Sequence, residues 1–175
     1  IAVDPQRQPP PAGEHEETIA SVATEIRAAR GRGAEVVICH GAHLIKNGLG
    51  PVLARLVRDG WITHVATNGA VSIHDWEFAH LGRSTENVRD YVAVGQFGLW
   101  QETGASIGLA ILLGALDGIG YGEAVGRLVA KEALDVPSRA ELDAIVAAAA
   151  AGETPRTRGA MALELIDAIA LELVV

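Results

Sequence analysis

The stretch from Val36 to Glu77 constrains the fold more than any other part of this chain. Ala34 to His40 is a short, β-branched, nearly continuous apolar run, and Ile62 to Thr67 is a second. Runs of that length bounded by glycine read as strands, and an unbroken apolar strand is the pattern of a parallel sheet buried on both faces. Between them Leu49, Val52, Leu53, Leu56 and Val57 recur on one face of a helix. Pro51 falls in its first turn, where a missing N–H costs little, and Gly60 ends it. The unit is βαβ, with a right-handed crossover expected. Open α/β sheets bind ligands outside the carboxyl ends of their strands, so the turns after the two runs are where chemistry is expected.

The first residues, with Pro5 and the run Pro9-Pro10-Pro11, cannot form regular structure and predict an arm or linker over residues 1–13. Residues 14–175 read as a single Rossmann-like α/β domain with a helical C-terminal part. Ile19, Val22, Ala23, Ile26 and Ala29 mark a first helix that ends near Gly31 and Gly33. A helix over Ser72 to Leu81 is closed by Gly82, and Ser84, Thr85 and Glu86 offer another N-terminus. From Thr103 the patterns are helical: Ile107 to Leu116, then Gly122 to Ala133, then two more. Ser138 and Glu141 form a capping box ahead of Leu142, Ile145, Val146 and Ala149, and Met161, Leu165, Ile166, Ile169 and Leu173 line the last helix. Sheets usually have about five or six strands. Two strands therefore leave the sheet incomplete, with the missing strands outside this chain or supplied by a partner. The opening on Ile1 and the apolar close from Leu171 to Val175 also read as a fragment.

A formal net charge of −8 argues against a nucleic-acid backbone as partner, which clustered Lys and Arg would have to hold. The single cysteine, Cys39, ends an apolar run and reads as a buried small hydrophobe. Ala105 to Ile119 falls short of the roughly 20 apolar residues of a membrane span and includes Asp117, so it reads as a buried helix. With no signal peptide visible, a cytoplasmic protein is expected.

The first turn, Gly41 to Gly48, joins a strand to a helix, where backbone N–H groups converge on phosphate-like ligands, and Lys46 adds a cation. It is neither a GxGxxG fingerprint nor a P-loop. The second, Thr67 to Asp75, contains Asn68-Gly69, which suits a tight turn, followed by His74 and Asp75 in the first turns of a helix that must pack on the sheet. Those two are the candidate reacting groups. Glu102, behind the glycine-flanked Phe97 and Trp100, is a candidate anchor for an ammonium group or a ribose, in a segment that reads first as a packing corner and second as a wall of the ligand site. Six histidines invite a metal reading, but no pair has zincin spacing and no metal site is assigned. A metal-assisted hydrolase using His43, His74 and Asp75 is one alternative. No serine stands in a G-x-S-x-G context, which excludes that hydrolase type.

Taken together, GAHLIKNGLGPVLARLVRDGWITHVATNGAVSIHDWEFAHLG, FGLWQETG and GIGYGEAVG resemble the bacterial deoxyhypusine synthase-like proteins, from Ala34 to Gly126. The resemblance implies a Rossmann-like NAD-binding fold, a homodimer or tetramer, and NAD-dependent aminobutyl transfer through an imine, with a small-molecule polyamine or related amine as substrate. It places NAD against His43, Leu44, Ile45, Lys46, Asn47 and Gly48 and against Thr67, Asn68 and Gly69. His74, Asp75 and Glu102 would then serve the reacting centre. Ile73-His74-Asp75 stands where the synthases carry an acidic pair, and their imine-forming lysine block has no counterpart in this sequence. That second departure gives the other alternative, a nucleotide-binding or assembly subunit without turnover.

Overall fold

The computed structural model describes residues 2–84, 86–131 and 134–170, and these divide into two compact units, 1–75 and 76–175. Thr85, Ala133 and Leu173 of the expected helices lie outside the described residues.

The first unit begins with an extended segment and a short 3-10 turn, Gly13–His15, and continues into α1 (Glu16–Gly31). Glu16 and Glu17 occupy the first turn of α1, where carboxylates complement the positive end of the helix. The extended segment is anchored, because the Val3 amide donates to the Gly48 carbonyl at 2.8 Å. Next come β1 (Val37–Cys39), the four-residue α2 (His43–Lys46), α3 (Gly50–Arg58), β2 (His64–Ala66) and α4 (Gly69–Leu81). Pro51 stands in the first turn of α3, as its fixed φ and missing N–H favour. The two strands pair in parallel, with Val37 opposite His64, Ile38 opposite Val65 and Cys39 opposite Ala66. Arg30, in the last turn of α1, ties the layers. Its Nε donates to the Gly60 carbonyl at 2.7 Å and its Nη1 to the Ala34 carbonyl at 2.8 Å.

The βαβ order is as the sequence implies, but the burial of its strands is not. Val37 is 55% exposed, Val65 is 39% exposed, and Cys39 is exposed too. The expectation of a strand buried on both faces, with Cys39 inside it, is corrected. Alternation sends Ile38 to the opposite face from Val37 and Cys39, and only Ile38 is partly covered. Buried side chains here are few: Ile45, Ile62 and Val71.

The second unit is helical. The boundary falls inside α4, whose second half contributes the buried Trp76 and Glu77. The amide side chain of Asn87 caps α5 (Val88–Ala93) by accepting from the Arg89 N–H at 3.1 Å, so this helix begins later than Ser84 to Glu86 suggested. Then come α6 (Gln101–Asp117), α7 (Tyr121–Lys131), α8 (Arg139–Ala151) and α9 (Arg156–Ala170). Helix α6 packs on α7 and α9, and α9 packs on α8. Leu113, Leu116, Leu142, Ala162, Leu165 and Ile166 make the main core. A second cluster gathers Trp76, Ala110 and Leu128.

The capping box at Ser138 is present in full. Glu141 Oε2 accepts from the Ser138 N–H at 2.8 Å and from its hydroxyl at 2.7 Å, and Ser138 Oγ accepts from the Glu141 N–H at 3.4 Å. The bonds from the Ser138 hydroxyl and amide hold the Glu141 carboxyl below its ordinary pKa. Among the described residues no single helix is long and apolar enough to cross a membrane; α6 and α7 reach that length only as a pair bent by 120°. The run from Ala105 to Ile119 lies largely in α6, which buries Ala110, Leu113 and Leu116, as expected of a core helix.

Candidate functional site

Parallel pairing brings the carboxyl ends of β1 and β2 side by side, so the turns that follow them are neighbours. Two hydrogen bonds fix this edge beyond the strands themselves. The His40 amide donates to the Ala66 carbonyl at 3.1 Å, and the Thr67 hydroxyl donates to the His40 carbonyl at 2.8 Å. The pairing thus continues one residue past each strand, locking His40 and Thr67 together.

After His40 the chain passes through Gly41, which has open space where a Cβ would stand, and winds into α2. His43 and Asn47 are exposed, Leu44 and Lys46 partly buried, and Ile45 and Gly48 buried. Gly48 adopts φ +81°, a left-handed conformation that glycine alone enters without steric cost. Ile45 and Gly48 therefore serve as the floor of the turn, leaving His43, Lys46 and Asn47 as its side chains toward solvent. Lys46 forms no ion pair among the described residues.

Across the edge, Thr67, Asn68 and Gly69 are exposed. Asn68 Oδ1 accepts from the Ala70 N–H at 3.1 Å, satisfying one of the amides that the start of α4 would leave unpaired. His74 and Asp75 follow in α4, both partly buried. Burial without a hydrogen bond or ion pair among the described residues pushes the Asp75 carboxyl above its ordinary value of 3.8.

Of the residues singled out from sequence, His43 to Gly48, Thr67 to Gly69, His74 and Asp75 all fall in the first unit, the two turns on one sheet edge. Glu102 belongs to the second unit, exposed in the first turn of α6, where a carboxylate complements the helix dipole. Among the described residues no group of three or more His, Cys, Asp or Glu side chains is placed to hold a metal ion. An apolar hollow of about 570 Å³ lies elsewhere in the first unit, lined by Val22, Ile26, Val37, Ile38, Leu56 and Trp61. The contribution of His40 was not legible as such. Its position ending an apolar run was the available signal, but the bonds that give it a role cross to β2.

Asp75 makes one contribution to the dependence of stability on pH. Because the folded state raises this pKa, its contribution to stability is complete below the unfolded value and is lost as pH rises through the folded one. Asp75→Asn removes the charge without changing the shape. Thermal melts should show this variant at or above the wild-type Tm at pH 7, with the two converging near pH 3.5. A variant less stable than wild type at pH 7 would mean that the ionised carboxylate has a favourable partner.

Residues 20–96 match the family described as "Arginine dihydrolase ArgZ-like, C-terminal, Rossmann fold". A curated relative, the "Bifunctional arginine dihydrolase/ornithine cyclodeaminase AgrE" of Nostoc sp., is 35% identical over 66 residues, 38% of this chain and 9% of that protein. The matched segment thus spans a small fraction of the relative's length. No solved structure matches the chain significantly. These findings correct the resemblance to deoxyhypusine synthase-like proteins, and with it the transferase, polyamine and aminobutyl-transfer expectations and the specific fold of that group. The longest block that carried the resemblance, Gly41 to Gly82, lies in the βαβ unit and its turns, which many unrelated chemistries share. What stands is coarser: a segment similar to a Rossmann-fold domain, a small parallel two-stranded sheet and a large helical complement. Residues 20–96 resemble the C-terminal Rossmann fold of the ArgZ-like arginine dihydrolases.

Proposed function

We propose that this chain supplies the dinucleotide-binding part of an amino-acid cyclodeaminase, with NAD held at the carboxyl ends of β1 and β2 and ornithine as the substrate class. The reading is supported by one observation above the others: the turns Gly41–Gly48 and Thr67–Gly69 lie on the same sheet edge, locked by the Thr67 hydroxyl on the His40 carbonyl at 2.8 Å. The similarity to a relative with two named activities supplies the rest. Of those two, hydrolysis of a guanidine needs no electron acceptor. Release of an amino group with ring closure is eased when the carbon bearing it is first oxidised, which is the work a nicotinamide does.

The residues on this edge are compatible with such a group. Gly41 and the exposed Thr67 to Gly69 let a phosphate approach the backbone closely. Lys46 brings a positive charge to the same edge, on a chain with a net charge of −8. His43 and Asn47 are exposed donors or acceptors for the sugar and phosphate groups, and His74 and Asp75 sit one helical turn or more beyond Gly69.

Titration of the chain with NADH, followed by nicotinamide fluorescence, should show saturable binding. Lys46→Ala should weaken it by roughly three- to tenfold, the scale of a single partly exposed charge contact. A Tm unchanged by that substitution would assign the loss to the ligand. Absence of saturable NADH binding to the wild-type chain would overturn the reading.

A further inference from the structure

Resting on the reading above, we propose that the His40 imidazole is the acceptor for the substrate ammonium group at the carboxyl end of β1. His40 Nδ1 lies 3.1 Å from the Gly41 carbonyl oxygen. A carbonyl only accepts, so Nδ1 carries the ring hydrogen and Nε2 is left with its lone pair. Nε2 has no hydrogen-bond partner among the described residues.

Both ends of this residue are held. Its amide donates to Ala66 across the sheet, its carbonyl accepts from the Thr67 hydroxyl, and its ring is tied to the following residue. The acceptor is therefore fixed relative to both turns. Three polar groups of the two turns are committed or of the wrong sign: Asn68 Oδ1 accepts from Ala70, the Thr67 hydroxyl hydrogen goes to the His40 carbonyl, and Lys46 is a cation.

An ammonium group has no lone pair and cannot support hydride loss from its carbon. One N–H bond of the ammonium breaks, and its electron pair stays on the amine nitrogen. The proton forms a new bond to Nε2, and imidazole becomes imidazolium.

The test combines two measurements on the full chain. Nitrogen-15 NMR of labelled histidine should show His40 as the Nδ1–H tautomer; an Nε2–H ring would overturn the proposal whatever binds. Calorimetric titration with L-ornithine in saturating NADH should then give roughly tenfold or weaker binding for His40→Ala, the scale of a hydrogen bond to a charged group. His40→Gln, whose amide oxygen restores an acceptor, should recover most of it, while NADH affinity stays constant in both variants. NADH binding with an ornithine affinity indifferent to His40→Ala overturns this inference alone. No NADH binding to wild type removes the functional reading and this inference with it.

Discussion

Leu142→Ala is expected to lower the unfolding free energy of the helical unit by about 3 kcal/mol, within the range for truncating a fully buried leucine. Leu142 is 0% exposed and sits in α8, in the same core cluster as Leu165 and Ile166 of α9 and Leu113 and Leu116 of α6. Removing the side-chain end loses its transfer free energy and leaves a void that three helices, each held by the others, cannot close. Urea denaturation followed by helical circular dichroism measures the loss. Leu163→Ala is the control, since Leu163 is 49% exposed on α9 and should change stability by less than about 0.5 kcal/mol. Equal losses at both positions would mean that the apolar face of α8 is not the centre of this core.

The second large effect reverses a general rule. Glycine to alanine inside a helix ordinarily stabilises by roughly 0.5–1 kcal/mol, through lost chain entropy in the unfolded state. Gly108→Ala should follow that rule, because nothing lies within 4 Å of a Cβ built there. Gly114→Ala, on the same helix, should destabilise by about 1–3 kcal/mol. A Cβ at Gly114 would stand 2.4 Å from the Ala124 Cβ and 3.2 Å from Ile119 Cγ1, closer than unbonded carbons come, so α6 and α7 would have to part. Gly159, whose Cβ would meet that of Ala149 at 2.5 Å, plays the same part between α9 and α8. Thermal melts of Gly108→Ala and Gly114→Ala should shift in opposite directions. A shift in the same direction would show that the α6–α7 contact adapts freely.

Much of the chain was legible because local rules and the fold agree. Pro51 opens α3, Ser138 and Glu141 cap α8, and Gly82, which follows α4, adopts φ +68°. The two strands and their order were legible too, since each is a short β-branched run bounded by glycine. The sites were legible only as places. The turns after β1 and β2 were found by the strand-end rule, but the reaction inferred for them came from a resemblance in the βαβ unit. Such a pattern encodes a fold and an edge, whereas chemistry depends on the few side chains gathered there. Glu102 illustrates the limit: a carboxylate opening a helix is as well explained by the helix dipole as by a ligand.

From the sequence alone came the long helices, the Ser138 cap, the parallel βαβ order and the edge to examine, because periodicity and capping act within a few residues of chain; α2 and the Asn87 cap of α5 did not. Tertiary structure alone decided that Val37 and Val65 stand open while Leu142 and Leu165 are sealed, that Gly114 and Gly159 admit no side chain, and that His40 is bound to β2. Periodicity sets the direction in which a side chain leaves its own element. Whether another element is there to meet it depends on residues far away in the chain, and no local pattern records that.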